Sequence, residues 1–242
     1  GGGAYIVSSG IIYFVNFQDQ QIYRQVPGKM PERLSNNTNR RYADFIVDEK
    51  RQQLITVFED FERPNEEPHS GISRISLSGD SVERSLIAGA DFHAAPRISP
   101  GGQFLAWMQW NHPNMPWDGT ELCLARLDEE GEVAEASTIA GNRGEAICLP
   151  EWAPNGVLHY VSDKSGWWNI YRYLNYDFLG DADGNSEIVY ESAAEFGLPH
   201  WVFRQSAYAF LNSGAILASY FENGKSQLGV IDTNHHGLTG LS

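Results

Sequence analysis

Apolar and polar residues alternate along this chain in short runs broken every few positions by Gly, Pro, Asn or Asp, and no stretch carries a convincing helical period. A period of two marks a strand with one buried face, and turn residues between such runs mark hairpins. The clearest unit reads Pro96-Arg97-Ile98-Ser99-Pro100-Gly101-Gly102-Gln103-Phe104-Leu105-Ala106-Trp107. It recurs as Pro150-Glu151-Trp152-Ala153-Pro154-Asn155-Gly156-Val157-Leu158-His159-Tyr160. Each copy predicts a short strand, a turn with Pro preset at its second position and Gly or Asn tolerating positive φ, then an apolar second strand. A third strand is predicted over 121–127 in the first copy and 168–173 in the second, with a weaker outer strand closing each unit. The same grammar fits 42–47, 54–58 and 72–77, although the turn there, Asp48-Glu49-Lys50-Arg51, has neither Pro nor Gly. Upstream, 4–7, 11–15, 22–25 and 32–34 make another unit; downstream, 201–211, 215–221 and 228–232 make a fifth.

A unit returning at intervals of roughly 50 residues has the period of a propeller blade. Short strands without helices exclude a doubly wound α/β fold and leave propeller, sandwich or barrel, and the repeat favours the propeller. The expectation is one all-β domain over 1–242, with five four-stranded blades at about 4–36, 42–88, 94–140, 148–191 and 199–242. Trp107, Trp152, Trp168 and Tyr173 are then read as packing between blades. In the fifth unit only a Gly- and His-containing tail follows Asp232, so its outer strand is expected to be missing. The first unit owns four strands already, so none is left to close the ring. Open rings expose blade edges, which soluble proteins avoid, and the chain is therefore expected to be part of a larger propeller.

The 242 residues are 42% hydrophobic, enough for a sizeable core, and the formal net charge of −14 repels phosphate backbones and anionic membrane surfaces. Nucleic acid and membrane are not expected as partners. Cys123 and Cys148 are too few and too far apart for a disulfide framework or a CxxC metal site, and are read as buried thiols. No basic segment followed by an apolar run opens the chain, and no apolar stretch reaches membrane-spanning length, so a cytoplasmic protein is expected. No metal or other cofactor is expected. The carboxylates of 177–185 suggest a calcium loop, but aligning Gly184 with the sixth loop position puts Leu179 first and Tyr190 where a bidentate Glu belongs. His235-His236 lack a spaced third ligand.

Several segments resemble the N-terminal propeller of prolyl oligopeptidase-family serine peptidases, the group with dipeptidyl aminopeptidases and acylaminoacyl peptidases. They are Gly1-Gly2-Gly3-Ala4-Tyr5, Arg41-Tyr42-Ala43-Asp44, and above all Trp110-Asn111-His112-Pro113-Asn114-Met115-Pro116-Trp117-Asp118-Gly119-Thr120-Glu121-Leu122, with Val161-Ser162-Asp163-Lys164-Ser165-Gly166-Trp167-Trp168-Asn169-Ile170-Tyr171-Arg172. The resemblance implies a TolB-like or WD40-like propeller capping a C-terminal α/β-hydrolase domain, which cleaves peptides while the propeller admits only small ones. No Gly-x-Ser-x-Gly nucleophile elbow occurs in the sequence, so no catalytic residue is assigned, and this chain alone is expected to be inactive. The expected partners are that hydrolase domain and small peptides, with a homo-oligomer a further option.

If the first strand of each blade lines the axis, Asp44, Arg97 and Glu151, with His200, stand near it and are candidates for gating substrate. Two insertions after second strands, 60–70 and 111–120, fall on one face of the ring, and the second supplies the candidates His112, Trp117 and Asp118. Two other functions fit the fold. One is a five-bladed glycoside hydrolase using Asp44 and Glu151, which would need carboxylates about 5 to 10 Å apart in an open axial pocket. The other is a free-standing interaction scaffold, which needs only an exposed patch.

Overall fold

A computed structural model describes residues 2–78, 82–174 and 186–241, and among these the chain forms five four-stranded antiparallel sheets and no helix. Blade 1 is β1 (Tyr5–Ser8), β2 (Ile11–Val15), β3 (Ile22–Gln25) and β4 (Glu32–Arg33). Blade 2 is β5 (Arg40–Asp48), β6 (Gln53–Asp60), β7 (His69–Ser76) and β8 (Glu83–Ala88); blade 3 is β9 (Phe92–Ile98), β10 (Phe104–Trp110), β11 (Glu121–Leu127) and β12 (Val133–Ala140). Blade 4 is β13 (Ile147–Trp152), β14 (Leu158–Ser162), β15 (Asn169–Tyr173) and β16 (Ser186–Ile188), and blade 5 is β17 (Tyr208–Phe210), β18 (Ile216–Glu222), β19 (Lys225–Asp232) and β20 (Gly237–Leu241). Each sheet is an up-and-down meander in chain order. The strand-and-turn grammar of the sequence thus produces a propeller of five four-stranded blades.

Alternation puts one apolar set on each face of a blade, and the core consists of the seams between faces. Tyr13, Ile22, Phe45 and Leu54 fill the seam between blades 1 and 2, and Ile55, Ile72, Leu105 and Cys123 that between blades 2 and 3. Leu122, Leu124, Leu158 and Tyr160 join blades 3 and 4. Val161, Phe196, Ile216 and Tyr220 join blades 4 and 5. Among the described residues no such cluster joins blade 5 to blade 1. Tyr5, Val7 and Ile12 on the free face of blade 1, and Phe221, Leu228 and Leu241 on that of blade 5, stay exposed. The two cysteines are buried and unpaired, and burial pushes the Cys123 thiol up to about 12 and raises that of Cys148 further.

Blade 5 corrects the sequence reading twice. Its fourth strand is present: Asp232 accepts hydrogen bonds from the Asn234 and His235 N–H groups, His236 takes positive φ, and the chain returns as β20 paired to β19 from Asp232↔Gly237 to Leu228↔Leu241. Two glycines in Gly-Leu-Thr-Gly-Leu hide its strand character, yet Leu238 reaches the core. Its first strand is shorter than predicted. Residues 201–207 form no strand, and only Tyr208–Phe210 pair with β18. The insertion of blade 2 is also shorter, because β6 and β7 extend to Asp60 and from His69.

The innermost strands carry one repeated device. In β5, β9 and β13 two residues oppose one on the neighbouring strand: Asp44 and Phe45 against Thr56, Ala95 and Pro96 against Trp107, Leu149 and Pro150 against Tyr160. The first of each pair is left-handed, with φ of 56°, 52° and 53°. These are β-bulges, and the prolines occupy the position at which no ladder N–H is needed. Gly3 and Arg204, both at φ 62°, are also left-handed, in the inner segments of blades 1 and 5. A bulge bends its strand and aims the neighbouring side chains at the axis.

A β-branched residue resists positive φ. Replacing Ala95 by Val is expected to cost about 1–3 kcal/mol in denaturant unfolding, whereas Ala95→Gly, which trades a buried methyl for relief of the left-handed backbone, leaves stability within about 1 kcal/mol.

Candidate functional site

At the axis the bulges bring Asp44, Arg97, Glu151, His200 and Arg204 into one network. Asp44 is 0% exposed. Its N–H donates to Gly3 O (2.8 Å), and its Oδ2 accepts from Ala95 N–H (2.7 Å), so one aspartate ties the inner strands of blades 1, 2 and 3. Its Oδ1 faces Arg204 Nε at 3.1 Å and Arg97 Nη1 at 3.7 Å. These contacts are ionic, because Oδ1 has no well-angled hydrogen bond. Arg97 donates from Nε to Glu151 Oε1 (2.7 Å) and from Nη1 to Pro96 O (2.8 Å). Trp152 Nε1 closes the link to blade 4 by donating to Arg97 O (3.0 Å).

The electrostatics follow from burial. Burial works to lower the pKa of Arg97, but Glu151 and Asp44 outweigh it and hold the guanidinium above its ordinary value. For Arg204, burial and the nearby Arg97 charge prevail over both carboxylates and lower it. Burial also lowers His200, which lies beside both Asp44 and Arg97 and has no hydrogen-bond partner on either ring nitrogen. Glu151, with its side chain 39% exposed, is the carboxylate of this network that solvent reaches.

The second group lies on one face of the ring. Loop 61–68 and loop 111–120 touch there, His112 Nε2 lying 2.9 Å from Glu67 Oε2. Asp91 Oδ2 accepts from His112 N–H, Asn111 Oδ1 from Asp91 N–H, and the His112 ring meets Phe92 edge-on at 4.9 Å. Asp118 turns inward to its own loop, its Oδ2 accepting from Met115 N–H (2.9 Å). Asn114 donates to Arg143 O, and Gly119 lies so close to that carbonyl that a Cβ would approach it to 2.5 Å. Trp117 reaches across to Trp201, ring centroids 4.2 Å apart. The two indoles help to line a solvent-open cavity of ≈250 Å³, walled also by Phe92, Trp110, Met115 and Phe203, with His200 in its lining.

The predicted residues therefore fall into two adjoining sets: Asp44, Arg97 and Glu151 at the axis, His112, Trp117 and Asp118 on the loop face, with His200 belonging to both. Asp44 has no surface from which to reach a sugar, which removes the glycosidase pair. Arg204, Trp201 and Phe203 were not legible as site residues. The signal was their place in the fifth inner segment, obscured by its departure from strand geometry. Residues 177–185 lie outside the described residues. Among the described residues no three His, Cys, Asp or Glu side chains group as metal ligands.

No family model matches the sequence, and no curated protein matches it. Solved structures do. The chain is similar to a puromycin hydrolase, with a TM-score of 0.87 and 28% identity over 100% of this chain and 39% of that one. It is also similar to a puromycin-hydrolyzing peptidase of Mycobacterium tuberculosis, with a TM-score of 0.87 and 32% identity over 100% of this chain and 38% of that one. TolB of Acinetobacter baumannii, at TM-score 0.59 and 13% identity over 96% of this chain and 52% of that one, shares the fold alone. The chain spans less than two-fifths of the length of the two hydrolases.

Replacing Asp44 by Ala strips the buried partner from Arg97 and Arg204 and the acceptor from Ala95 N–H. A loss of about 3–5 kcal/mol in equilibrium unfolding is expected. His93 and His159 are buried neutral, burial holding both near 4 against an ordinary 6.5. Below 6.5 the unfolded chain binds the additional protons, so this contribution is complete above about pH 6.5 and is lost as pH falls towards 4. Each ring accounts for up to about 3 kcal/mol. Unfolding midpoints between pH 7 and 4 measure it, and His159→Phe should flatten the slope.

Proposed function

From the premise that this chain is a β-propeller of the prolyl oligopeptidase family, we propose that it is the non-catalytic domain of a serine peptidase, docking on a C-terminal α/β-hydrolase domain of the same parent chain and restricting entry to small peptides. One observation carries the reading: the rigid 111–120 loop, loop 61–68 and the segment ahead of β17 gather on one face, where Trp201 is left 70% exposed beside Met115 and Val202. Exposed apolar side chains grouped on a pre-ordered surface mark a contact with another body. Behind them lies the ion-paired network of Asp44, Arg97 and Arg204, in which Asp44 and Arg97 are buried and Arg204 is the cation left partly exposed. In this reading His112 and Asp118 shape the loop, Trp117 carries contact area, and Arg204 presents the charge a peptide meets, while Asp44 and Arg97 hold it from behind and Glu151 opens on the side of the 48–53 and 99–103 turns.

The hydrolase would supply the nucleophile, its base and the orienting acid; this chain supplies binding, orientation and exclusion. A panel of aminoacyl and peptidyl chromogenic substrates, with aryl glycosides as controls, tests the division. The parent protein, carrying its hydrolase domain, is expected to cleave peptides, and this chain alone to cleave nothing. In the parent, Trp117→Ala should lower kcat/KM for peptides by about tenfold or more, the scale of an interface anchor. Glycoside cleavage by this chain, lost in Glu151→Gln, would overturn the reading.

A further inference from the structure

The cavity lined by Trp117 and Trp201 is more than a seam between loops. We propose that it is a binding site for a single aromatic ring, carried as the side chain of a small peptide or aryl amide. An apolar cavity of about 150 Å³ suffices for benzene, while drug-sized ligands need about 300 Å³ or more. At ≈250 Å³ this one is sized for one substituted ring. Its walls are ring faces and edges from β9, β10, the 111–120 loop and the 200–203 segment, and aromatic rings pack on one another in offset and edge-on geometries that an aliphatic side chain cannot exploit.

Two further features favour a neutral ring. The walls are held before any ligand arrives: Thr120 Oγ1 donates to Pro116 O (2.5 Å), Asp118 ties Met115, Asn114 ties Arg143, and Phe92 stacks on Trp110 at 5.3 Å. Little ordering remains to oppose binding. A cation gains no ion pair, since Asp44, the carboxylate beside the lining residue His200, is buried and already faces Arg97 and Arg204. A carboxylate gains little, because Arg97 and Arg204 are already matched by Asp44 and Glu151. That the ring arrives on a peptide rests on the peptidase reading; that the cavity takes a ring does not.

Titration of this chain with N-acetylphenylalaninamide and N-acetylleucinamide, followed by calorimetry and tryptophan fluorescence, decides it. The phenylalanine amide should bind about three- to tenfold more tightly than the leucine amide, the range of an aromatic pair. Trp201→Ala should weaken it about fivefold or more and Met115→Ala less, while Phe17→Ala, exposed in blade 1, leaves it unchanged. Trp201 is exposed, so its removal spares the fold, and an unchanged unfolding midpoint verifies this. Equal binding of the two amides, no saturation up to their solubility, or binding that survives Trp201→Ala and Trp117→Ala together would overturn the proposal, including the case in which only a segment of a hydrolase domain fills the cavity. Ring binding by this chain beside a parent protein that cleaves no peptide would sink the peptidase reading and leave this one standing.

Discussion

The buried carboxylate of Asp44 is the contact on which the inner ring depends. A charge without access to water is tolerated only where opposite charges and N–H groups surround it. Here the N–H of Ala95 and the guanidinium group of Arg97, both on β9, and the guanidinium group of Arg204, from the segment ahead of β17, do so. The same residue's own N–H reaches Gly3 in blade 1. Seams between blade faces are apolar and non-directional; this network gives them a fixed centre. It also explains why the left-handed backbone at the inner bulges persists, since each bulge positions a group that the network requires.

The two faces of the ring differ in the connections they carry. The turns that join the first two strands of blades 2, 3 and 4 are short and lie on one side, whereas loops 61–68 and 111–120 lie on the other, where His112 meets Glu67 and Trp117 meets Trp201. Their order comes from side chain-to-backbone hydrogen bonds at Asp91, Asn114 and Asp118, so a surface made of loops is held as firmly as one made of strands. Exposed indole on such a surface is apolar area that the isolated chain does not bury, and both the docking and the ring-binding readings draw on it.

Much of this was legible in the sequence because the physics is local. Alternation and turn chemistry marked the strands, and Pro96 and Pro150 stood at matching places because both fill the second position of a bulge. That placed Arg97 and Glu151 at the axis. The turn at Asp48–Arg51 lacks Pro and Gly, yet the apolar pattern of β5 and β6 carried its blade. What failed was also physical: two glycines masked β20, and an apolar, aromatic run at 201–207 read as strand although its backbone turns through Arg204 to reach Asp44. The wall of Phe92, Trp110, Trp201 and Phe203 joins residues more than a hundred positions apart, a proximity that only the closed seams create.

Hydrogen–deuterium exchange measured on this chain alone and within a parent protein that carries the hydrolase domain tests the central claim most directly. The account predicts added protection over 111–120 and 198–203 in the parent, with the turns at 48–53, 99–103 and 153–157 unchanged. Protection confined to those turns, with the aromatic loops exchanging as they do in the isolated chain, would contradict it.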